Sequence, residues 1–176
     1  MASKIKVDQI QTADGTGTIA LQNQLSGMTG ASMPTGSVIQ TVNEFHRDGD
    51  TTTTSTSFVD TGCTKSITPT SSSNKILVNV SGFFWNQTAG TGGGLTIYRN
   101  GSNIHPASSS GYFARIYPIS GGGIQHHTSF SYLDSPNTTS SVEYKVYMKM
   151  IWGSGTLQFG SNNNEGFNIT LQEIVG

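Results

Sequence analysis

The residues best suited to recognition chemistry are aromatic and cationic side chains that lie beside glycine-rich segments. They are Trp85, Tyr112, Arg115, Tyr117 and Trp152. Flat aromatic side chains can stack on sugar rings, and a guanidinium group donates hydrogen bonds to sugar oxygens. These five residues are therefore candidates for a glycan-binding site. The alternative is that the same side chains fill the core and the subunit interfaces of a chain poor in aliphatic residues.

Two motifs match part of the residue pattern of a cofactor or cation site but lack the surrounding features that such a site needs. Residues 15–20 fit the glycine pattern of a dinucleotide loop, but no helix is predicted after them, so we expect a turn. Asp48 and Asp50 resemble the start of a calcium loop. The sixth and twelfth loop positions, however, hold Thr53 and Val59 instead of Gly and Glu. This motif is interpreted as a surface turn, with a weak cation site as the alternative. The sequence predicts no cofactor and no metal site.

Two adjacent histidines, His126 and His127, lie on a predicted strand. Neighbouring strand residues point to opposite faces, so the pair cannot chelate one metal ion within one chain. A hydrogen-bonded role on the strand is expected for each. The alternative is that three copies of one histidine meet across a threefold axis.

Catalysis is not expected. The chain contains no Gly-x-Ser-x-Gly elbow, and abundant serine without a positioned His and Asp does not indicate a nucleophile. Cleavage of glycans needs a pair of carboxylates, and no two of the ten acidic residues lie in an apolar strand segment. The sequence therefore predicts that the protein is not an enzyme.

Strands must position the candidate residues, because apolar side chains recur with period two and never with a helical period over three turns. The clearest strand is 142–152, whose even positions are all apolar or aromatic. Residues 74–85 alternate likewise, and Gly82 within them marks a bulge or a close backbone approach. Residues 95–99 lead into Asn100-Gly101, a strong hairpin turn signal. Further strands are predicted at 37–45, 56–61, 64–68, 112–119, 125–133 and 167–175.

Clusters of Gly, Ser, Asn and Pro separate these strands. We interpret the following segments as turns: 69–74, 88–94, 108–111, 121–123, 135–141 and 160–166. Many short strands separated by such turns favour an all-β fold, an antiparallel β-sandwich of jelly-roll type.

The first 36 residues differ from the remainder. Residues 1–25 contain two short alternating segments around a Gly-rich turn and are expected to form a β-hairpin for attachment or trimerisation. A Gly/Ser/Met linker follows at 26–36, and the sandwich domain is predicted over 37–176. A lone hairpin is marginal in water, so it must dock on another surface. The candidate contact residues are Ile5, Val7, Ile10, Ile19 and Leu21.

Composition excludes several classes of protein. Ser, Thr, Gly and Asn make up 80 of the 176 residues, while the net charge is −1. A pI near 6.4 disfavours a nucleic-acid binder, and no apolar run approaches the length of about 20 residues that membrane insertion needs. No apolar stretch follows the N-terminal lysines, so no secretory signal is expected. A single cysteine, Cys63, allows no intramolecular disulfide and suggests folding in a reducing cytosol.

Several stretches resemble a known class of proteins. SKIKVDQI at 3–10 and GTGTI at 15–19, followed by the linker, resemble the N-terminal segment of tail-fibre and virion structural proteins of tailed bacteriophages, especially of cyanophage type. TSFVDTG at 56–62, SSSNKILV at 71–78 and YLDSPNTT at 132–139 resemble the C-terminal β-domain of such proteins. The pattern of this domain is also similar to the jelly roll of the tumour necrosis factor and complement globular-head class, which trimerises.

The resemblance implies a homotrimeric fibre or fibre-like protein of the virion, made in the cytoplasm of the host bacterium. Residues 1–25 would attach to other virion proteins, and the sandwich would face outward, where it could contact a host-surface polysaccharide. A capsid decoration protein and a stand-alone carbohydrate-binding module are the alternatives. No catalytic residue is implied.

Overall fold

The structure is a computed structural model, and it describes residues 33–46, 51–106, 111–117, 123–160 and 166–176. The predicted N-terminal hairpin over 1–25, most of the linker and the Asp48–Asp50 motif lie outside the described residues. The predicted sandwich domain is described over most of its length.

Two antiparallel sheets pack face to face, so the predicted all-β sandwich is confirmed. The strands are β1 (Val38–His46), β2 (Thr51–Thr53), β3 (Val59–Ile67), β4 (Lys75–Asn86), β5 (Gly92–Arg99), β6 (Ser102–Asn103), β7 (Ala114–Ile116), β8 (Ile124–Asp134), β9 (Val142–Trp152), β10 (Leu157–Phe159) and β11 (Phe167–Ile174).

Sheet A contains β1, β2, β4, β8, β10 and β11. Strand β4 pairs with β8 along one edge and with β11 and then β10 along the other, so β10 and β11 occupy one line. Strands β1 and β2 pair with β11 and β10 in the same way. Sheet A thus has four strand positions, in the order β1/β2, β11/β10, β4 and β8.

Sheet B has the order β3, β9, β5, and then β6 and β7 on one line. When β1 and β2, β6 and β7, and β10 and β11 are each counted as one strand position, the chain alternates between the two sheets except at the β5–β6 hairpin, where it stays in sheet B. Eight strand positions, four in each sheet, with these connections form a jelly-roll-like sandwich.

The core lies between the sheets and contains the inward residues of each strand. In β9 every even position from Val142 to Met150 is buried, as the alternation predicts. In β4 and β11 the same alternation buries Ile76, Val78 and Leu171. The burial of one side chain in two gives each sheet an inner face for stability and an outer face that is free for other roles.

Two turn and glycine predictions are confirmed. Asn100 and Gly101 have φ values of 47° and 83°, as a two-residue hairpin turn requires. At Gly82 an added Cβ would lie 2.6 Å from the carbonyl oxygen of Gly166 and 2.7 Å from the Cα of Phe167. The backbones of β4 and β11 therefore approach too closely for any side chain at this position.

Several predicted boundaries were wrong. Segments 56–61 and 64–68 form the single strand β3, which bends at Gly62 with a φ of 82°. In the described part of segment 112–119, residues 112–117, the strand is limited to the short β7, and β2, β6 and β10 were missed. The predicted turn over 88–94 ends earlier, because Gly92, Gly93 and Gly94 belong to β5 and are buried.

Within the described residues, no helix is long and apolar enough to span a membrane.

Candidate functional site

The outer face of sheet B carries most of the predicted glycan-site residues. The alternation of β9 directs Glu143, Lys145, Tyr147 and Lys149 outward, because the residues between them are buried in the core. Strand β5 lies beside β9 in the same sheet, and β7 follows on its other side. We call the surface formed by the outward residues of β3, β5, β7 and β9, together with the flanking residues Phe58, Tyr112 and Tyr117, the sheet B face.

Glycines at the start of β5 leave part of the sheet B face without side chains from this strand. A Cβ added at Gly92 would lie 3.1 Å from the ring of Tyr117, and one added at Gly94 would lie 3.1 Å from the ring of Tyr112. Both rings therefore lie directly on the backbone of β5. Gly93 faces the core instead, where an added Cβ would lie 2.3 Å from the Cδ2 of Leu157. The glycine run thus serves packing on both sides of one strand.

Three of the five predicted residues form a group at one end of this face, which we call the Trp152 cluster: Trp152, Tyr117 and Arg115. The rings of Trp152 and Tyr117 have centroids 6.3 Å apart and planes inclined at 49°. The guanidinium carbon of Arg115 lies 6.0 Å from the Tyr117 ring centroid. Trp152 is 60% exposed and Tyr117 47% exposed, so both rings are available to a ligand.

Aromatic rings continue along the sheet B face beyond Tyr112. Tyr98 and Tyr147 stack with centroids 3.9 Å apart, and Phe58 packs edge-on against Tyr98. The ammonium group of Lys149 lies 4.4 Å from the ring centroid of Phe58. Burial, and then the neighbouring Tyr147, raise the pKa of Tyr98, so its hydroxyl stays neutral at physiological pH.

Charge is distributed unevenly along this face. Lys145 lies 3.3 Å from Asp60 and 3.5 Å from Glu143, and the hydrogen bond to Asp60 is the main reason that the pKa of Lys145 is raised. Within the described part of the chain, neither Arg115 nor Lys149 has an ion-pair partner. The end near the Trp152 cluster is therefore positive, and the opposite end is neutralised by its own carboxylates.

The fifth predicted residue, Trp85, lies on the other sheet. It is on β4 and pairs in register with Gln125 and Gln158 on the outer side of sheet A. The structure thus brings Tyr112, Arg115, Tyr117 and Trp152 to one surface and separates Trp85 from them. The sequence could not show this, because both tryptophans end long strands beside glycines.

The outer side of sheet A, which we call the sheet A face, is mostly neutral. Strand pairing places these apolar residues on it: Val38, Phe45, Leu77, Phe83, Trp85, Leu133 and Ile174. Val38 is 47%, Phe45 50% and Leu133 45% exposed. Among the strand residues described on this face, the only one with a formal charge is Lys75 at its end.

Polar side chains on the sheet A face bond to one another. Asn43 donates to Thr170 at 2.8 Å and also to the side chain of Asn168, and Gln87 donates to Gln158 at 2.6 Å. Asn43, Thr170 and Asn168 lie on the neighbouring strands β1 and β11. These polar side chains of the sheet A face are therefore already hydrogen-bonded inside one chain.

Two buried carboxylates correct the expectation that no two acidic residues lie in an apolar strand environment. Asp134 on β8 and Glu173 on β11 both pair in register with Ile76 of β4, and both are buried. Asp134 accepts hydrogen bonds from Arg99 at 2.9 Å and from the hydroxyl of Tyr144 at 2.7 Å. This contact links sheet A to sheet B, and burial and the bond to Asp134 raise the pKa of Tyr144.

Glu173 accepts hydrogen bonds from the backbone and hydroxyl of Thr70, from Asn74 at 2.7 Å and from Gln40 at 3.0 Å. Burial alone raises the pKa of this carboxyl, but the hydrogen bonds outweigh burial and leave the pKa below its ordinary value. The oxygens of both buried carboxylates thus accept hydrogen bonds from groups that hold the fold together. The prediction that the protein is not an enzyme stays a prediction.

Both adjacent histidines belong to strand β8. His127 is exposed and pairs in register with Phe83 on the sheet A face, and His126 pairs in register with Phe84. No group of three His, Cys, Asp or Glu side chains that could hold a metal ion occurs among the residues that the structure describes. Cys63 is buried, and burial, with smaller effects from Asp60 and Glu44, raises the pKa of its thiol to about 12.

Sequence reasoning missed four residues of the sheet B face: Phe58, Tyr98, Tyr147 and Lys149. One signal could have found Tyr147, since it is an aromatic residue among the charged outward positions of the best predicted strand. Phe58 gave no such signal, because only the fold brings its segment next to β5 and β9.

No protein-family model matches this chain, and neither does any curated protein sequence.

Proposed function

We propose that this chain is a homotrimeric, fibre-like structural component of a tailed-phage virion. The observation that carries the proposal is the sheet A face. It spans all four strand positions of a sheet, exposes apolar residues such as Phe45 and Leu133, and has Lys75 as its only formally charged strand residue within the described ranges. The cores of protein interfaces are depleted in charged residues in the same way.

The polar groups of the sheet A face support burial against another copy. Asn43, Thr170 and Asn168 already bond to one another within the chain. A copy that covers them therefore leaves few unpaired donors, and unpaired buried donors are what makes burial of polar surface costly. The number three and the virion location come from the resemblance of the sequence segments and of the jelly-roll-like pattern. Residues 1–25 are proposed to attach the trimer to other virion proteins.

Burial of the sheet A face would leave the sheet B face outermost, since the two faces lie on opposite sides of the sandwich. The exposed Trp152 and Tyr117 then point to a role in contact with a host-surface polysaccharide. These same residues favour a second candidate function, a stand-alone carbohydrate-binding module. That module would bind sugar as a monomer.

Mass measurement in solution separates the two candidates. For the full chain at micromolar concentration, light scattering after size exclusion is expected to give three times the chain mass of 18.7 kDa. A monodisperse monomer under these conditions would overturn the trimer and favour the stand-alone module.

The virion location is tested on purified particles of the phage whose genome encodes the chain. We expect mass spectrometry to detect the chain in the particles, and cryo-electron microscopy to show a threefold feature with the sandwich outermost. Particles that lack the chain would overturn the virion part of the proposal and leave the solution trimer unaffected.

A further inference from the structure

The Trp152 cluster combines two features of a ligand site that its role in packing does not explain. The first is exposed aromatic surface, since Trp152 and Tyr117 remain 60% and 47% exposed although their rings contact each other. The two rings are inclined at 49° to each other, and their centroids lie 6.3 Å apart. A pyranose ring has apolar faces that stack on such rings, while its hydroxyls remain in water.

The second feature is charge without a partner. Arg115 is exposed, and its only contact with a charge or ring among the described residues is with Tyr117. Lys149 occupies the same row of the sheet, because both residues pair in register with Gly94. The acidic residues of this face, Asp60 and Glu143, pair with Lys145 instead. Among the described residues, no carboxylate pairs with Arg115 beside the Tyr117 ring or with Lys149, whose ammonium group lies over the ring of Phe58 in the same part of the sheet.

We propose that the Trp152 cluster binds a carboxylate-bearing glycan, such as a polyuronate. A sugar ring stacks on Trp152 and Tyr117, and its carboxylate accepts hydrogen bonds from Arg115, whose planar guanidinium suits a carboxylate. Lys149 adds a second positive charge for the next acidic residue of a repeating polymer. Gly92 and Gly94 leave room for the rings of Tyr117 and Tyr112, because side chains at these positions would displace the rings.

This inference rests on the part of the proposed function that places the sheet B face outward, and it adds the chemical class of the glycan. The two can fail separately. If the protein is a trimer but binds no acidic glycan, only the glycan inference is rejected. If the protein is a monomer that binds an acidic glycan, only the trimer is rejected.

The experiment measures binding of the full chain to three immobilised polyuronates, namely alginate, polygalacturonate and hyaluronate. Each is compared with the same polymer after chemical reduction of its carboxyl groups to alcohols. We expect at least one polyuronate to bind, its reduced form to bind at least tenfold more weakly, and the difference to shrink as salt is added. Binding to none of the three, or equal binding to an acidic polymer and its reduced form, overturns the inference.

Variants assign the binding to the cluster. Arg115→Gln is expected to lower affinity for the polyuronate about tenfold and to leave the reduced polymer unaffected, because only the charged contact is lost. Trp152→Ala is expected to weaken the binding of both the polyuronate and its reduced form, because both sugars lose the ring on which they stack. Both residues are exposed, so the variants should fold.

Lys65→Gln is the matched control. It removes one positive charge from a residue that pairs with Glu44 at 2.9 Å, away from the cluster. An equal loss of affinity in Lys65→Gln and Arg115→Gln would show that only the net charge of the protein matters, and the proposed contact would be rejected.

Discussion

The two sheets bury the same kind of apolar core but differ on their outer faces. The sheet A face has Lys75 as the only formally charged strand residue among those described, and it carries large apolar residues beside bonded amides and hydroxyls, as at Asn43 and Thr170. The sheet B face carries stacked aromatic rings and charges of both signs, with Lys145 at the centre of the ion pairs. Core packing fixes the inner residues of both sheets alike. The difference therefore lies in the outward half of each strand, where the two faces differ in charge and in aromatic content.

The largest expected effect comes from placing a charge on the sheet A face. Leu133→Glu would bury an unpaired carboxylate in the proposed trimer interface, which costs about 3–5 kcal/mol. We expect trimers to dissociate at micromolar concentration, as measured by light scattering. Ser102→Glu, which adds the same charge at the exposed edge strand of sheet B, is expected to leave the mass unchanged. Equal behaviour of the two variants would show that the outer faces do not differ in assembly.

The central glycines of the two sheets should differ in their tolerance of alanine. At Gly82 of sheet A the added Cβ meets backbone atoms at 2.6–2.7 Å, which cannot move away, so Gly82→Ala is expected to cost about 3 kcal/mol. At Gly94 of sheet B the contact is the ring of Tyr112 at 3.1 Å, and Gly94→Ala is expected to cost about 1 kcal/mol. Urea unfolding measures both. The reverse order would mean that the backbones of β4 and β11 are less closely packed than described.

The stability of the fold at low pH is expected to depend on Glu173 in sheet A. Because the pKa of Glu173 is lower in the folded than in the unfolded chain, its contribution to stability is complete above the ordinary value of 4.5. That contribution is lost as pH falls through the folded-state pKa. Glu173→Gln is expected to reduce the free energy of unfolding at neutral pH by about 2 kcal/mol. It should also flatten the fall in stability below pH 4.5. An unchanged acid profile in urea unfolding would contradict the assignment.

The smallest effect is expected on the sheet B face. Lys145→Gln removes pairs with Asp60 and Glu143, all three being partly exposed, and such pairs contribute about 0–1 kcal/mol. Thermal unfolding should change little. A loss as large as that of Glu173→Gln would show that the ions of this face stabilise the fold, contrary to the comparison.

The fold was predictable wherever a strand buries one side, as in β4 and β9, since alternation records which face meets the core. The short strands β2 and β10 were not, because three residues are too few to show a period and their pairing with each other depends on distant segments. The glycines of β5 were interpreted as a loop. Their place in the sheet depends on rings from Tyr112 and Tyr117, which no local pattern reveals.

The candidate site was predictable in residue types more than in arrangement. Aromatic residues beside glycines selected Tyr117 and Trp152 as glycan-site candidates, and the structure places their rings next to each other. The same rule also selected Trp85, which the sheet topology places on the opposite face. Buried Asp134 was missed for a related reason. Its partners Arg99 and Tyr144 come from the other sheet, so its local sequence resembles an ordinary strand end.

The glycine run of β5 has one more consequence. Strand β5 lies in the middle of sheet B, yet at Gly92 and Gly94 it adds no side chain to the outer surface, which is formed there by Tyr117 and Tyr112 from the neighbouring edge. Residues at an edge can be exchanged with little disturbance of the core. The shape of this surface can therefore change through substitutions at the exposed positions of one short segment, while the framework beneath it remains constant.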